Sequence, residues 1–174
     1  YMDRAMYREK ENPGNIQNLR AQMGNFYLIP EGGTNSFALQ GVQEIIAEIQ
    51  QDYDYICTPC GTGGTLAGLL SGLNGNKKIL GFSALKGKDT LTEKINELTF
   101  EYCGKQYQNY SLFFDYHFGG YAKVTTELIT FIKDFKQTFD IQLEPVYNGK
   151  MMYGIMNLIE KDYFLQGSKI LAIH

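Results

Sequence analysis

Gly61-Thr-Gly-Gly-Thr65 is the stretch with the most direct chemical meaning. Glycines let backbone amides approach a ligand closely, and the first amides of a helix are unpaired and point outward. The helix macrodipole favours negative charge at the same place. The spacing therefore predicts a phosphate held by Gly61, Thr62, Gly63, Gly64 and Thr65. The run lacks the lysine that a Walker A loop places after its second glycine. Gly61, Gly63 and Ala67 also fail to complete the G-x-G-x-x-G of dinucleotide folds. A phosphate-bearing ligand without Mg²⁺ chemistry fits better than either. A tight turn that binds nothing is the plain alternative.

Two further loops set a tyrosine beside glycine: His117-Phe-Gly-Gly-Tyr121 and Pro145-Val-Tyr-Asn-Gly-Lys150. A phenol can donate a proton, accept a hydrogen bond, or act as a base where its pKa is depressed. The bland reading of either tyrosine is packing with a hydroxyl in a turn. Cys57-Thr-Pro-Cys60 has thioredoxin-like C-x-x-C spacing after a strand. The chain then runs into the glycine turn, however, and the helix starts only after it. Cys57 is better read as a small apolar strand residue and Cys60 as a turn residue near a ligand. His117 and His174 are the only histidines, and no His/Cys/carboxylate cluster has metal-ligand spacing. No G-x-S-x-G elbow is present.

These residues need elements to hold them. Tyr53 to Cys57 is a short apolar run that suits a buried strand. Leu66, Leu69, Leu70 and Leu73 repeat as a helical stripe. Upstream, Phe26-Tyr-Leu-Ile29 reads as a strand ended by Pro30. Glu31 to Ser36 reads as a glycine turn with helix-capping residues, and Val42, Ile45, Ile46 and Ile49 as a helix. Ile16, Leu19 and Met23 suit a surface helix. Downstream, strands are predicted at Ile79–Leu85, Leu112–Phe114 and Lys169–Ile173. Helices are predicted at Thr90–Leu98, through Val124, Leu128, Phe131, Ile132, Phe135 and Phe139, and through Met152, Ile155, Met156 and Ile159. Pro145 to Gly149 reads as a loop. Short apolar strands alternating with helices argue for a three-layer α/β fold: an open, mostly parallel sheet with helices on both faces. In such a sheet both tyrosine loops share the ligand edge with Gly61–Thr65.

The 174 residues suit one domain, with 44 % apolar and 20 % charged residues. A net charge of -3 points to neither nucleic acid nor an anionic membrane. No apolar run approaches the ~20 residues of a membrane span, and no signal peptide opens the chain. Three cysteines argue for a reducing compartment, so a cytoplasmic setting is expected. Tyr1 is no natural start, and the last strand stops at His174 where its loop should begin. The chain is expected to be part of a longer protein.

Four segments, in order, resemble one known family: Tyr27-Leu-Ile-Pro-Glu-Gly-Gly-Thr-Asn35, Cys60-Gly-Thr-Gly-Gly-Thr-Leu-Ala-Gly68, Gly119-Gly-Tyr121 and Glu144-Pro-Val-Tyr-Asn-Gly-Lys-Met-Met-Tyr-Gly154. It is the 1-aminocyclopropane-1-carboxylate deaminase / D-cysteine desulfhydrase family, pyridoxal-phosphate enzymes of the tryptophan synthase β type. The resemblance covers nearly the whole chain and corresponds to the family's C-terminal part. It implies a truncated type II fold, pyridoxal 5'-phosphate as cofactor, a small amino-acid substrate and a homodimer. By the family pattern Gly61–Thr65 cradle the cofactor phosphate, and Tyr121 and Tyr147 are active-site tyrosines. Asn148 stands at the partner of the pyridine nitrogen. The products would be ammonia and a 2-oxo acid, with sulfide as well in the desulfhydrase branch. The family's cofactor lysine falls in a portion this sequence does not include, so the chain alone is expected to be inactive. At the position of Asn148 the deaminases carry glutamate and the desulfhydrases typically threonine. A neutral amide leans towards β-elimination from a D-amino acid. The competing class is a phosphate-ligand binding module that kept the fold and lost the chemistry.

Overall fold

The computed structural model describes residues 2–87 and 89–174. They fall into two compact units, Tyr1–Pro30 and Glu31–His174. The first holds two helices, α1 (Arg4–Arg8) and α2 (Pro13–Met23). Asp3 accepts the Ala5 and Met6 amides at 2.9 Å and so caps α1. Asn12 caps α2, with Pro13 at its first position. Ile16 and Leu19 are half-buried and Met23 is exposed, as a surface helix requires. The strand predicted at Phe26–Ile29 does not form: the segment is irregular and joins no sheet, and Tyr27 and Ile29 are 67 % and 72 % exposed. An apolar tetrapeptide has β character only when a neighbouring strand takes its amides.

The second unit runs α3 (Ser36–Glu48), β1 (Tyr55–Cys60), α4 (Gly64–Leu73), β2 (Lys78–Ser83), α5 (Asp89–Cys103), β3 (Tyr110–Phe113), α6 (Thr126–Phe139), α7 (Asn148–Glu160) and β4 (Ile170–Ala172). The strands form one parallel sheet in the order β3-β2-β1-β4. The strands expected at Ile79–Leu85, Leu112–Phe114 and Lys169–Ile173 lie within about two residues of their predicted bounds, while the one expected at Tyr53–Cys57 starts at Tyr55 and runs on to Cys60. Two predictions need correction. The loop over Pro145–Gly149 ends at Tyr147, because Asn148 and Gly149 already belong to α7. The helix predicted at Thr90–Leu98 extends to Cys103.

Side chains alternate across the sheet as the pleat demands. Ile56, Cys60 and Ile79 pack into one core with Leu39, Leu66, Leu69, Leu70 and Ile95 of α3, α4 and α5. Cys57, Leu80 and Phe82 pack on the other face against Met151, Ile155 and Leu158 of α7. Leu128, Ile132 and Phe135 of α6 form a third cluster with Leu143. This is the predicted three-layer arrangement. α4 departs from a simple stripe, since Ala67 and Gly68 are buried along with its leucines. α3 makes that burial possible: a Cβ on Gly68 would lie 2.6 Å from Val42 Cβ, and one on Gly72 would lie 2.8 Å from Ile46 Cγ1. Among the described residues no helix is long and apolar enough to cross a membrane.

Candidate functional site

Because all four strands are parallel, the loops after them open on one edge, the edge where α/β sheets take ligands. β1 delivers the chain to Gly61 there. Gly63 then turns it with φ of 88°, a left-handed value that glycine adopts without strain. The adjoining space is tight as well, for a Cβ on Gly63 would lie 2.9 Å from Ile95 Cγ1. α4 begins at the next residue, and no side chain caps its start. Four other helix starts are capped by side chains. Asp3, Asn12, Asn35 and Thr125 accept amides at α1, α2, α3 and α6. At α7 the N-cap residue Tyr147 supplies no side-chain cap either, but the Glu144 carboxylate takes the Asn148 amide and the Glu144 carbonyl the Gly149 amide. The leading amides of α4 instead border a cavity of about 120 Å³. Gly61, Thr62, Gly63, Gly64 and Thr65 all line it, with Gly32 and Thr34 opposite. A hydrogen bond of 2.5 Å joins the hydroxyls of Thr34 and Thr62. The arrangement offers positive partial charge, unused donors and glycine-lined space, which together suit an anion.

Tyr147 stands beside this turn. A Cβ on Gly61 would meet its hydroxyl at 3.1 Å. The Tyr121 ring lies edge-on to it, with centroids 5.9 Å apart. Burial pushes the Tyr147 phenol above its ordinary pKa, the hydrogen bond and charge of Tyr121 add to the rise, and the Glu144 and Glu31 carboxylates add further. Tyr147 is therefore a neutral phenol at neutral pH, suited to donating a proton. A base would need the opposite shift. The structure thus brings Gly61–Thr65, Tyr121 and Tyr147 together at one edge.

Asn148 is placed differently. Its Oδ1 accepts the Glu144 amide at 2.7 Å, and its Nδ2 stands 3.4 Å from Nδ1 of His174, just past β4. With Oδ1 committed to an amide, the end that Asn148 can offer a ligand is its NH₂ group. It is not among the side chains that line the cavity.

Three site residues went unread as such in the sequence. Thr34 lay in a turn read for its helix-capping residues and within the resembling Tyr27–Asn35 segment, with no role of its own. Glu144 accepts the amides of Val146, Tyr147 and Asn148 at 2.6, 2.6 and 2.7 Å. It thereby caps α7 and fixes the backbone that carries Tyr147. An acidic residue four before the helix start was its signal. Lys150 is buried, with 1 % exposure, and its Nζ donates to the Gly120 carbonyl at 2.8 Å. A cation between the apolar residues of a helix was its only mark.

The dithiol reading fails on geometry. Cys57 and Cys60 face opposite sides of β1 and enter different cores. Burial pushes both thiols up to about 12, away from the range of reactive cysteines. His117 holds its own loop: Nδ1 accepts the Gly119 amide at 2.9 Å. Among the described residues no group of His, Cys, Asp and Glu is arranged to hold a metal ion.

No family model matches the chain. A putative 1-aminocyclopropane-1-carboxylate deaminase of Pyrococcus horikoshii is 35 % identical over 158 residues, covering 85 % of this chain and 48 % of that protein. A bifunctional D-cysteine desulfhydrase/1-aminocyclopropane-1-carboxylate deaminase, mitochondrial, of Arabidopsis thaliana is 33 % identical over 162 residues, covering 85 % of this chain and 40 % of that protein. In three dimensions, the crystal structure of an ACC deaminase homologue superposes with a TM-score of 0.82 at 30 % identity, over 99 % of this chain and 56 % of that one. The fold is the type II fold of pyridoxal-phosphate enzymes. The chain spans about half the length of the curated relatives it matches. On sequence and fold alike, it resembles about half of each of the proteins named 1-aminocyclopropane-1-carboxylate deaminase and D-cysteine desulfhydrase.

Proposed function

We propose that the protein to which this chain belongs is a pyridoxal-phosphate-dependent lyase or deaminase. It acts on a small amino acid, as a homodimer, and releases ammonia and a 2-oxo acid. The observation that carries this reading is the uncapped start of α4 opening on a glycine-lined cavity, with the Tyr147 hydroxyl against Gly61. The residues fit the phosphate end of the cofactor, because side chains at Gly61 or Gly64 would crowd Tyr147 or Thr34. When bound, pyridoxal phosphate supplies an electron sink for bond cleavage beside the amino group. The amides of Gly63, Gly64 and Thr65 hold the phosphate, and the Thr62 and Thr34 hydroxyls close the cradle. Tyr147, neutral at neutral pH, holds a proton for delivery at its hydroxyl, and Tyr121 orients that hydroxyl. Asn148 offers a neutral NH₂ donor, which suits an acceptor nitrogen without a proton and favours β-elimination from a D-amino acid over ring opening.

Product analysis of the intact protein loaded with pyridoxal phosphate tests this reading. Sulfide and pyruvate from D-cysteine should exceed 2-oxobutyrate from 1-aminocyclopropane-1-carboxylate. The reverse order would overturn the elimination preference. A protein that binds the cofactor and releases none of these products would be a binding module, and the enzymatic reading would fall.

A further inference from the structure

Lys150 has no part in the cradle, yet it is the one charged side chain among the buried described residues. A buried ammonium is costly unless its surroundings compensate. Its Nζ reaches the Gly120 carbonyl at 2.8 Å, across 30 residues of sequence. That carbonyl already accepts the Lys123 amide at 3.1 Å, so the lysine is not needed to satisfy it. The bond instead ties the α7 start to the loop that ends in Tyr121. The loop has cause to need a tie, since Phe118, Gly119, Gly120 and Ala122 all have positive φ, of 52°, 97°, 118° and 53°. For Phe118 and Ala122 that conformation persists only where the surroundings impose it. The Phe118 ring anchors the loop's beginning on Tyr153, with centroids 4.9 Å apart. Lys150 anchors its end. The Glu144 carboxylate, at the same helix start, supports the ammonium against burial, which pulls the lysine's pKa down.

We infer that Lys150 is a positioning residue: through the Gly120 carbonyl it sets Tyr121 against Tyr147. The inference rests on the two tyrosines working as a pair in the proposed reaction. The test is K150M in the intact protein, read first by hydrogen exchange without substrate. The Gly119, Gly120 and Lys123 amides are bonded within the loop and report its opening. They should exchange on the order of 10- to 100-fold faster, the range expected on losing a charge-assisted hydrogen bond, with β1 and β2 unchanged. In turnover, kcat should fall by a similar factor in the wild type, and K150M should add nothing in a Tyr121→Phe background. Unchanged exchange in the loop, equal acceleration across the sheet, or a full K150M effect in the Tyr121→Phe background would each overturn the inference. K150Q carries the same comparison if K150M does not fold. If the protein turns over no amino acid, the proposed function fails and the exchange measurement alone decides the role of Lys150.

Discussion

Tyr147→Phe should slow turnover by roughly 10²-fold or more while leaving cofactor affinity within about twofold, the range of a lost general acid or base. The substitution removes one oxygen and keeps the ring edge-on to Tyr121. It should therefore spare both the fold and the phosphate cradle. The lost oxygen is the one that lies 3.1 Å from where a Gly61 Cβ would be, at the mouth of the glycine turn. The pH dependence follows from the direction of the shift. A phenol pushed above its ordinary value near 10 stays protonated below that value and loses its proton only as pH rises through the raised one. The wild-type rate should hold through neutral pH and fall on an alkaline limb that the Phe variant lacks. Steady-state kinetics across pH checks both points. Near-normal turnover in the variant would reduce Tyr147 to a packing residue.

Gly64→Val should weaken cofactor binding by about 10- to 100-fold, the effect of overpacking worth about 1–3 kcal/mol. A Cβ at Gly64 would lie 2.8 Å from Thr34 Oγ1, 3.1 Å from its Cγ2 and 3.4 Å from its Cβ. Thr34 is short and branched at Cβ, so it has no flexible end to swing aside. Its bond to Thr62 at 2.5 Å must break, and the new side chain shields the first amides of α4. Global stability should fall by a comparable amount, readable by denaturant unfolding. Gly41→Ala, in α3 with nothing within 4 Å of the added Cβ, is the control. It should leave affinity alone and raise stability by up to about 1 kcal/mol through helix propensity. Equal affinity in Gly64→Val and wild type would separate the turn from the phosphate.

Much of this site is legible in the residues themselves. Glycines packed between an apolar run and a leucine stripe mark a strand, a turn and a helix, because the run is too apolar for any place but the core and the stripe has a helix's period. The edge shared by Gly61, Tyr121 and Tyr147 follows from parallel pairing, which the strand–helix alternation implies. Long-range contacts are another matter. Thr34 bonds Thr62 across 28 residues, and Lys150 reaches Gly120 across 30. No local pattern announces either, because each depends on how two separate loops meet on the finished sheet. Phe26–Ile29 shows the converse error. It has strand composition, but a strand exists only through a ladder, and this segment joins no sheet. Tyr147 adds a third lesson. A tyrosine in a glycine loop suggested a base as readily as an acid, and only burial and the neighbouring Tyr121, Glu144 and Glu31 set the direction of its shift.

The central claim is that the α4 start holds the phosphate of pyridoxal phosphate. Titration of the intact protein with pyridoxal phosphate, followed by its visible absorbance, tests it most directly. Saturable binding at one cofactor per chain is expected, weakened by inorganic phosphate and by Gly64→Val. A protein that gives no protein-bound absorbance band at saturating cofactor, or whose binding ignores both phosphate and Gly64→Val, would contradict it.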